Sequence, residues 1–181
     1  MLSIEEAFAV YSARVSSLPT ETVATAEALY RTLREDSPST VDLPPFTQSA
    51  MDGYAVRTSE IEVGTALPIA MTLPAAGVDE VPSLEPGTCA RIFTGGPVPN
   101  GADSVIMQEQ VEREADVAHF GVMPRLGQNV RNRAEEISVG QTVCAAGAEI
   151  TPGKIGALCA AGIAQVMVTQ LPKVTLLVTG D

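Results

Sequence analysis

Aromatic and basic residues are both scarce in this 181-residue chain. Aromatic residues make up only 4% of the sequence and Trp is absent, so few rings are present on which nucleic-acid bases can stack. The 11 Lys and Arg residues face 22 Asp and Glu residues, giving a net charge of -11. Such a charge repels phosphate backbones and anionic membranes. We therefore expect neither a nucleic-acid-binding nor a membrane-binding protein.

Cysteine and histidine are also rare. The three cysteines, Cys89, Cys144 and Cys159, show neither a CxxC pair nor the spacing of metal ligands, and their apolar or small neighbours predict buried, reduced thiols. The one histidine, His119, lies in an alternating stretch that predicts a partly exposed strand position. No spacing supports a metal site built from Cys or His ligands.

The sequence has no apolar run near the roughly 20 residues of a transmembrane helix. Its N-terminus is acidic, whereas that of a secretory signal would be basic. We therefore expect a cytoplasmic protein. Hydrophobic residues make up 45% of the chain, which is enough for the core of one ordinary domain or two small ones.

Helical patterns lie near both ends of the chain. A capping box at Ser3 to Glu6 precedes an amphipathic helix predicted over about residues 4–16. A short extended piece at residues 22–24 and a second helix over residues 26–35 are predicted next. A further helix, over residues 154–161, follows Thr151 and a proline at the first helical position.

Short β-like runs separated by Gly- and Pro-containing turns fill the middle of the chain, and four are predicted as strands: residues 66–73, 88–93, 104–108 and 117–122. The predicted class is therefore α+β. A split α-containing domain (residues 1–43 and 132–172) carries an inserted β-rich domain (residues 44–131).

Residues 173–181 form a continuous apolar run followed by a turn. This pattern is typical of a strand buried on both faces of a parallel sheet, which needs crossover partners. We expect this run to be the first strand of a further α/β domain, and hence the chain to be the N-terminal piece of a longer protein. Whether that division is natural stays open.

Four segments together resemble one family: LPPFTQSAMDGYAV (43–56), GTCARIFTGGPVP (87–99), ADSVIMQE (102–109) and GQNVRNRAEEIS (127–138). In this order and spacing they are similar to the first two domains of the MoeA-type molybdopterin molybdenumtransferases. That family also includes the E domain of gephyrin.

The resemblance implies a reaction in which molybdate enters the dithiolene of adenylylated molybdopterin with the help of Mg2+. AMP is released and molybdenum cofactor is formed. It also implies a homodimer whose cleft combines the β-rich domain of one subunit with later domains of the other. A contact with the molybdopterin adenylyltransferase is left open. With those later domains missing, the fragment alone is expected to be inactive.

The resemblance places Asp52 and Thr94 at the catalytic centre, Ser49 and Arg131 at the cofactor, and Asp52 and Glu136 on the metal. A carboxylate at Asp52 suits Mg2+ or a water at the adenylate phosphate, although Asp-Gly is also an ordinary turn pair. Thr94 ends a predicted strand, where a hydroxyl and free amides suit an oxyanion. The alternative for Thr94 is a plain hairpin turn.

Arg131 and Glu136 lie in the mixed-charge stretch RNRAEE. Guanidinium geometry suits a phosphate or molybdate oxygen, while the plain alternative is a solvated loop. Many family members have Gly-Glu-Asp-Ile where this chain has residues 134–137, so Ala134 replaces a glycine and Glu136 a shorter aspartate. A rival function is a non-catalytic dimerisation or scaffolding module, but the intact segment 49–55 favours the enzyme.

Overall fold

The computed structural model describes residues 3–75 and 80–178. The fold is mixed α/β and mostly strands, and the described residues form two compact units. One, the end unit, combines the chain up to Thr40 with the chain from Val139 onward, and the other, the middle unit, is Val41–Ser138.

The α-helices are α1 (Ile4–Ser12) and α2 (Pro152–Ala160). The strands are β1 (Thr20–Ala24), β2 (Ser37–Pro38), β3 (Gln48–Ser49), β4 (Gly53–Val56), β5 (Ala66–Leu73), β6 (Cys89–Ile92), β7 (Ser104–Met107), β8 (Val111–Glu114), β9 (Val117–Phe120), β10 (Val130–Arg131), β11 (Thr142–Cys144) and β12 (Gln165–Thr169).

The end unit is built on an antiparallel pair of strands, β1 and β12, with Thr20 opposite Thr169. A second short pair joins β2 to β11. Helix α2 starts at a Thr151 cap, with Pro152 in its first turn, and contributes Leu158 to an aliphatic core that also contains Leu33. Both side chains are fully buried.

The predicted helix over residues 26–35 is wrong. Only Thr25–Glu27 forms a single 3₁₀ turn, after which Tyr30 takes a left-handed conformation with φ 61°. The Leu33 amide then donates to the Ala148 carbonyl at 2.9 Å, and Leu33 forms a bridge with Val168. Backbone pairing with the C-terminal half and burial of Leu33 therefore override the local helix propensity.

Helix α1 forms with its predicted capping box, in which Ser3 and Glu6 exchange hydrogen bonds. It ends at Ser12 rather than near residue 16, and none of its residues is buried. Its largest apolar side chains, Ile4, Phe8 and Tyr11, are each at least 65% exposed. No part of the described chain covers the apolar stripe that the sequence shows.

The middle unit contains a six-stranded sheet in the order β7-β4-β6-β5-β9-β8. Every neighbouring pair is antiparallel except β5 and β6, which run parallel. Strand β4 is buried along its whole length: Tyr54 and Val56 join one core cluster, while Ala55 joins the other. Strand β5 has its predicted bounds, and β6, β7 and β9 lie within their predicted runs.

Residues 171–178 have no regular secondary structure and are exposed. Val174 is 85% and Leu177 is 81% exposed, and the run forms no strand within the described residues, in keeping with the expectation that it lacks its sheet in this chain. Without a neighbouring strand, the backbone groups of an apolar run have no ladder to join. The last three residues of the run, 179–181, lie outside the described residues.

The cysteine prediction holds for two of the three thiols. Cys89 and Cys144 are buried and free, but Cys159, in α2, is exposed, which corrects the expectation for that residue. Burial raises the pKa of Cys89 to about 12, so this thiol stays protonated at neutral pH. No helix in the described ranges is long and apolar enough to cross a membrane.

Candidate functional site

Asp52 and Thr94 meet because of the register of two strands. Asp52 immediately precedes β4, Thr94 closely follows β6, and these antiparallel strands pair Gly53 with Ile92. The residue before one strand and the residues after the other therefore emerge at the same end of the sheet. Asp52 Oδ1 accepts hydrogen bonds from the Thr94 amide at 2.7 Å and from the Thr94 hydroxyl at 2.8 Å.

The backbone around Asp52 is held closely against strand β7. The Gln108 amide donates to the Asp52 carbonyl at 3.0 Å. At Gly53, an added Cβ would lie 2.0 Å from the Ile106 carbonyl oxygen, so glycine is required by the close approach of the two backbones. The Asp-Gly pair is thus part of a tightly packed strand entry.

The turn after β6 is fixed by Ser49. Its amide donates to the Gly96 carbonyl and its carbonyl accepts from the Gly95 amide, each at 2.9 Å. The Ser49 hydroxyl donates to the Met51 carbonyl at 2.6 Å and accepts from the Met51 amide at 3.2 Å. Ser49 is 1% exposed, so its side chain shapes the Asp52 loop, and its predicted contact with the cofactor stays a prediction.

The Asp52 carboxylate is electrostatically stabilised. Its pKa lies below the ordinary value, chiefly because the Thr94 amide and then the Thr94 hydroxyl donate hydrogen bonds to it, with a further contribution from the positive charge of Arg91. Both hydrogen bonds reach Oδ1, and no described residue donates to Oδ2. An ionised carboxylate with one oxygen free of protein donors suits a hard cation or a water molecule.

We expect Asp52 to contribute to acid stability in a defined direction. Because its pKa is lowered in the folded state, its stabilising effect is complete above the ordinary value of 3.8 and is lost as the pH falls through the folded-state pKa. The stability gap between the wild type and Asp52→Asn should therefore shrink below pH 3.8. Urea unfolding over a range of acidic pH values measures this gap, and a gap independent of pH would contradict the assignment.

Arg131 and Glu136 form a second cluster in the middle unit. Arg131 lies in β10, opposite Gln48 of β3. Its guanidinium donates to Glu136 and, at 3.4 Å, to Glu135. These two carboxylates, Glu136 foremost, raise the pKa of Arg131. The side chains remain accessible, with Arg131 35% and Glu136 55% exposed.

Ala134 occupies a conformation in this loop that glycine adopts more readily than other residues. It adopts φ 59°, a left-handed conformation, and its amide donates to the Pro44 carbonyl at 3.0 Å. A side-chain Cβ makes this conformation cost roughly 1 kcal/mol relative to glycine. The loop therefore keeps a backbone shape that glycine adopts readily, although the sequence supplies alanine.

The structure brings the predicted residues together only in part. Asp52 contacts Thr94, and Arg131 contacts Glu136, but no hydrogen bond or ion pair joins Asp52 to Glu136 among the described residues. Within those ranges, no group of three or more His, Cys, Asp or Glu side chains is arranged to hold a metal ion. A joint metal site of Asp52 and Glu136 stays a prediction.

Two residues next to Asp52 escaped the sequence reasoning. Arg91 lies within β6 between buried neighbours, and Gln108 follows β7. The Arg91 guanidinium hydrogen-bonds the Gln108 side chain. A charged residue inside the otherwise apolar run Cys-Ala-Arg-Ile was the available signal, because such a residue needs polar partners close by.

The fold is that of solved MoeA proteins. Two crystal structures of the molybdopterin biosynthesis MoeA protein from Pyrococcus horikoshii superpose on it. One has a TM-score of 0.77 and 33% sequence identity, covering 83% of this chain and 41% of that one. The other has a TM-score of 0.81 and 29% identity, covering 95% of this chain and 45% of that one.

Residues 2–162 match the family model of the MoeA N-terminal region, domains I and II, and the chain belongs to this family. A molybdopterin molybdenumtransferase of Haemophilus influenzae is 37% identical over 188 residues, covering 100% of this chain and 45% of the relative. One of Nostoc sp. is 35% identical over 171 residues, covering 92% of this chain and 39% of the relative. The chain therefore spans less than half the length of these relatives.

Proposed function

We propose that the chain supplies one wall of the active site of a molybdopterin molybdenumtransferase. In the proposed reaction, molybdate is inserted into adenylylated molybdopterin, AMP is released and molybdenum cofactor is formed. The observation that carries the proposal is the Asp52 carboxylate, held on one oxygen by the amide and hydroxyl of Thr94. The proposed reaction is inferred from family membership, and the Asp52 carboxylate held by Thr94 is a group suited to that reaction.

In this proposal Asp52 acts as an ionised carboxylate whose orientation is fixed. The two bonds from Thr94 hold one carboxylate oxygen and leave the other to face a ligand. This donor set fits Mg2+, which is commonly bound through one or two carboxylates together with substrate phosphates and water. When bound, Mg2+ would offset phosphate charge at the adenylate. Thr94 positions the carboxylate and keeps it ionised.

Arg131 is proposed to bind an oxygen of molybdate or of a phosphate. Its guanidinium is already held by Glu135 and Glu136, so an arriving anion would exchange with one of these exposed carboxylates. Exposed ion pairs of this kind contribute little to stability because solvent screens them, so the exchange costs little. Released from Arg131, Glu136 would become free to act as a second carboxylate for Mg2+.

The proposed assembly is a homodimer in which the middle unit of one subunit faces later domains of the other. A docking contact with the molybdopterin adenylyltransferase would deliver the adenylylated substrate directly. Both ideas rest on the family relationship. The net charge of -11 makes a basic surface on any such partner electrostatically favourable.

Complementation of a transferase-deficient bacterium tests the proposed function. The complete product of the gene that encodes this sequence should restore molybdoenzyme activity in a strain lacking its own molybdopterin molybdenumtransferase. A dimerisation or scaffolding module would be expressed and folded but would not restore it. Failure of a folded, well-expressed product to restore activity would therefore favour the scaffold.

Glu136→Asp should change the metal dependence of turnover. If Glu136 contributes to Mg2+ binding, shortening its side chain by one methylene alters an arrangement that must be nearly octahedral. We expect the Mg2+ concentration for half-maximal rate to shift roughly tenfold or more. The matched control is Glu114→Asp, whose carboxylate is 83% exposed in strand β8. Identical Mg2+ titrations for Glu136→Asp and wild type would place Glu136 outside the site.

The 181-residue chain on its own should fold but should not insert molybdenum. Folding is expected because each of its two units contains its own buried apolar cluster. Inactivity is expected because more than half of each transferase relative lies outside the match. The measurement is molybdate-dependent cofactor synthesis by the purified chain with no other transferase present. Cofactor synthesis above the no-protein background would refute the expectation that the chain alone is inactive.

A further inference from the structure

Arg91 connects the three backbone segments that meet at Asp52. Its Nη1 donates to the Gly53 carbonyl at 2.8 Å and to the Ile92 carbonyl at 2.9 Å. Its Nη2 donates to the side-chain oxygen of Gln108. Gly53 directly follows Asp52, Ile92 lies two residues before Thr94, and the Gln108 amide donates to the Asp52 carbonyl at 3.0 Å.

Aromatic rings hold the guanidinium in this position. The central carbon of the Arg91 guanidinium lies 4.5 Å from the centroid of the Phe93 ring and 5.3 Å from that of the Tyr54 ring. Both distances fall within the range of cation–π attraction. Tyr54 is also the cross-strand partner of Arg91 between β4 and β6. The guanidinium therefore has little freedom to leave its three hydrogen-bond partners.

We propose that Arg91 is a positioning residue that holds the Asp52 carboxylate and the Thr94 turn in their reactive arrangement. The catalytic role in this inference rests on the proposed function, whereas the contacts that Arg91 makes do not depend on it. Arg91 itself does not touch the carboxylate through a described hydrogen bond. It acts by fixing the residue after Asp52, the strand before Thr94 and the side chain that follows β7.

Only arginine meets all of these demands. Its planar guanidinium offers five N–H donors in a fixed geometry and stacks on aromatic faces, whereas a lysine ammonium is a compact point charge on a flexible stem. Lysine would retain the positive charge near Asp52 but could not reach two carbonyls and an amide oxygen in one plane. Arg91→Lys therefore separates charge from geometry, and Arg91→Met removes both while keeping an apolar stem.

Nuclear magnetic resonance on the 181-residue chain measures the effect directly. The readouts are the chemical shift of the Asp52 carboxyl carbon at neutral pH and that of the Thr94 amide proton, which reports its hydrogen bond to Asp52. We expect Arg91→Met to weaken the hydrogen bond between Thr94 and Asp52, and so to shift the Thr94 amide proton upfield and move the Asp52 carboxyl-carbon signal. Arg91→Lys keeps the charge but not the geometry, so it should show the same upfield shift of the Thr94 amide proton.

Gln108→Leu and Arg113→Met complete the experiment. Gln108→Leu removes one partner of the guanidinium while Arg91 stays in place, so it should shift the Thr94 amide in the same direction even if the Arg91 variants fold poorly. Arg113→Met alters an exposed hairpin arginine and should change neither readout. Unchanged Asp52 and Thr94 signals in folded Arg91→Met or in Gln108→Leu would overturn the proposal.

The catalytic consequence is tested separately in the complete gene product. If Asp52 is misplaced by even a fraction of an ångström, kcat should fall roughly tenfold or more. Altered NMR signals with unchanged kcat would refute the catalytic part of the proposal. An inactive wild type with altered NMR signals would instead contradict the proposed function and leave the structural role of Arg91 intact.

Discussion

Asp52→Asn should reduce molybdenum transfer by the complete gene product at least about 100-fold. The substitution keeps the shape of the side chain and an oxygen that can accept from Thr94, but it removes the negative charge. A neutral amide binds Mg2+ weakly and cannot orient a water molecule as a carboxylate does. The measurement is the initial rate of cofactor formation at fixed molybdate, read beside a thermal melt.

The control for this substitution is Asp116→Asn. Asp116 lies in the turn between β8 and β9, and its carboxylate is 92% exposed, so its loss should leave the transfer rate near that of the wild type. The melting temperature of Asp52→Asn should stay within roughly 4 °C of the wild-type value at neutral pH, as for a small change in stability. Near-normal transfer by folded Asp52→Asn would reduce Asp52 to a turn-capping residue.

Gly53→Ala should have the largest effect on stability. Its Cβ would lie 2.0 Å from the Ile106 carbonyl oxygen and 2.9 Å from the Ile106 carbonyl carbon, and neither backbone atom can rotate away. Strands β4 and β7, which are both largely buried, would have to separate. We expect a loss of about 3 kcal/mol or more in the free energy of unfolding, measured by urea denaturation.

Gly121→Ala is the matched control within the middle unit. A Cβ added there would lie 3.7 Å from the Gln110 carbonyl oxygen, an ordinary contact. Its unfolding midpoint should therefore stay close to that of the wild type. If Gly53→Ala unfolded at the same denaturant concentration as Gly121→Ala, this result would contradict the close approach of the β4 and β7 backbones at Gly53.

Local patterns in the sequence predicted some elements well and others poorly, for identifiable reasons. Strand β5 and helix α2 could be predicted because alternation and capping are properties of consecutive residues. Residues 26–35 could not, since their turns and bridges depend on hydrogen bonds to residues more than 100 positions away, such as that from Leu33 to Ala148. Local propensity carries no information about such a partner.

The candidate site shows the same contrast between features set by consecutive residues and features that depend on distant partners. Asp52 and Thr94 were each singled out from the sequence, but their contact spans 42 positions and depends on the register of β4 against β6. Arg91 was missed because its role depends on carbonyl groups and rings brought to it by neighbouring strands. Resemblance to a family identified residues, whereas the structure supplied the bonds between them.

A double-mutant cycle on Asp52 and Thr94 tests the central claim most directly. The transfer rate is measured for the wild type, Asp52→Asn, Thr94→Val and the double variant, each as the complete gene product at equal folded concentration. Thr94 is proposed to act by orienting the Asp52 carboxylate and keeping it ionised. Thr94→Val should therefore slow transfer by the wild type but change the rate little once residue 52 is Asn. Losses that multiply independently, or a Thr94→Val enzyme as fast as the wild type, would contradict the account.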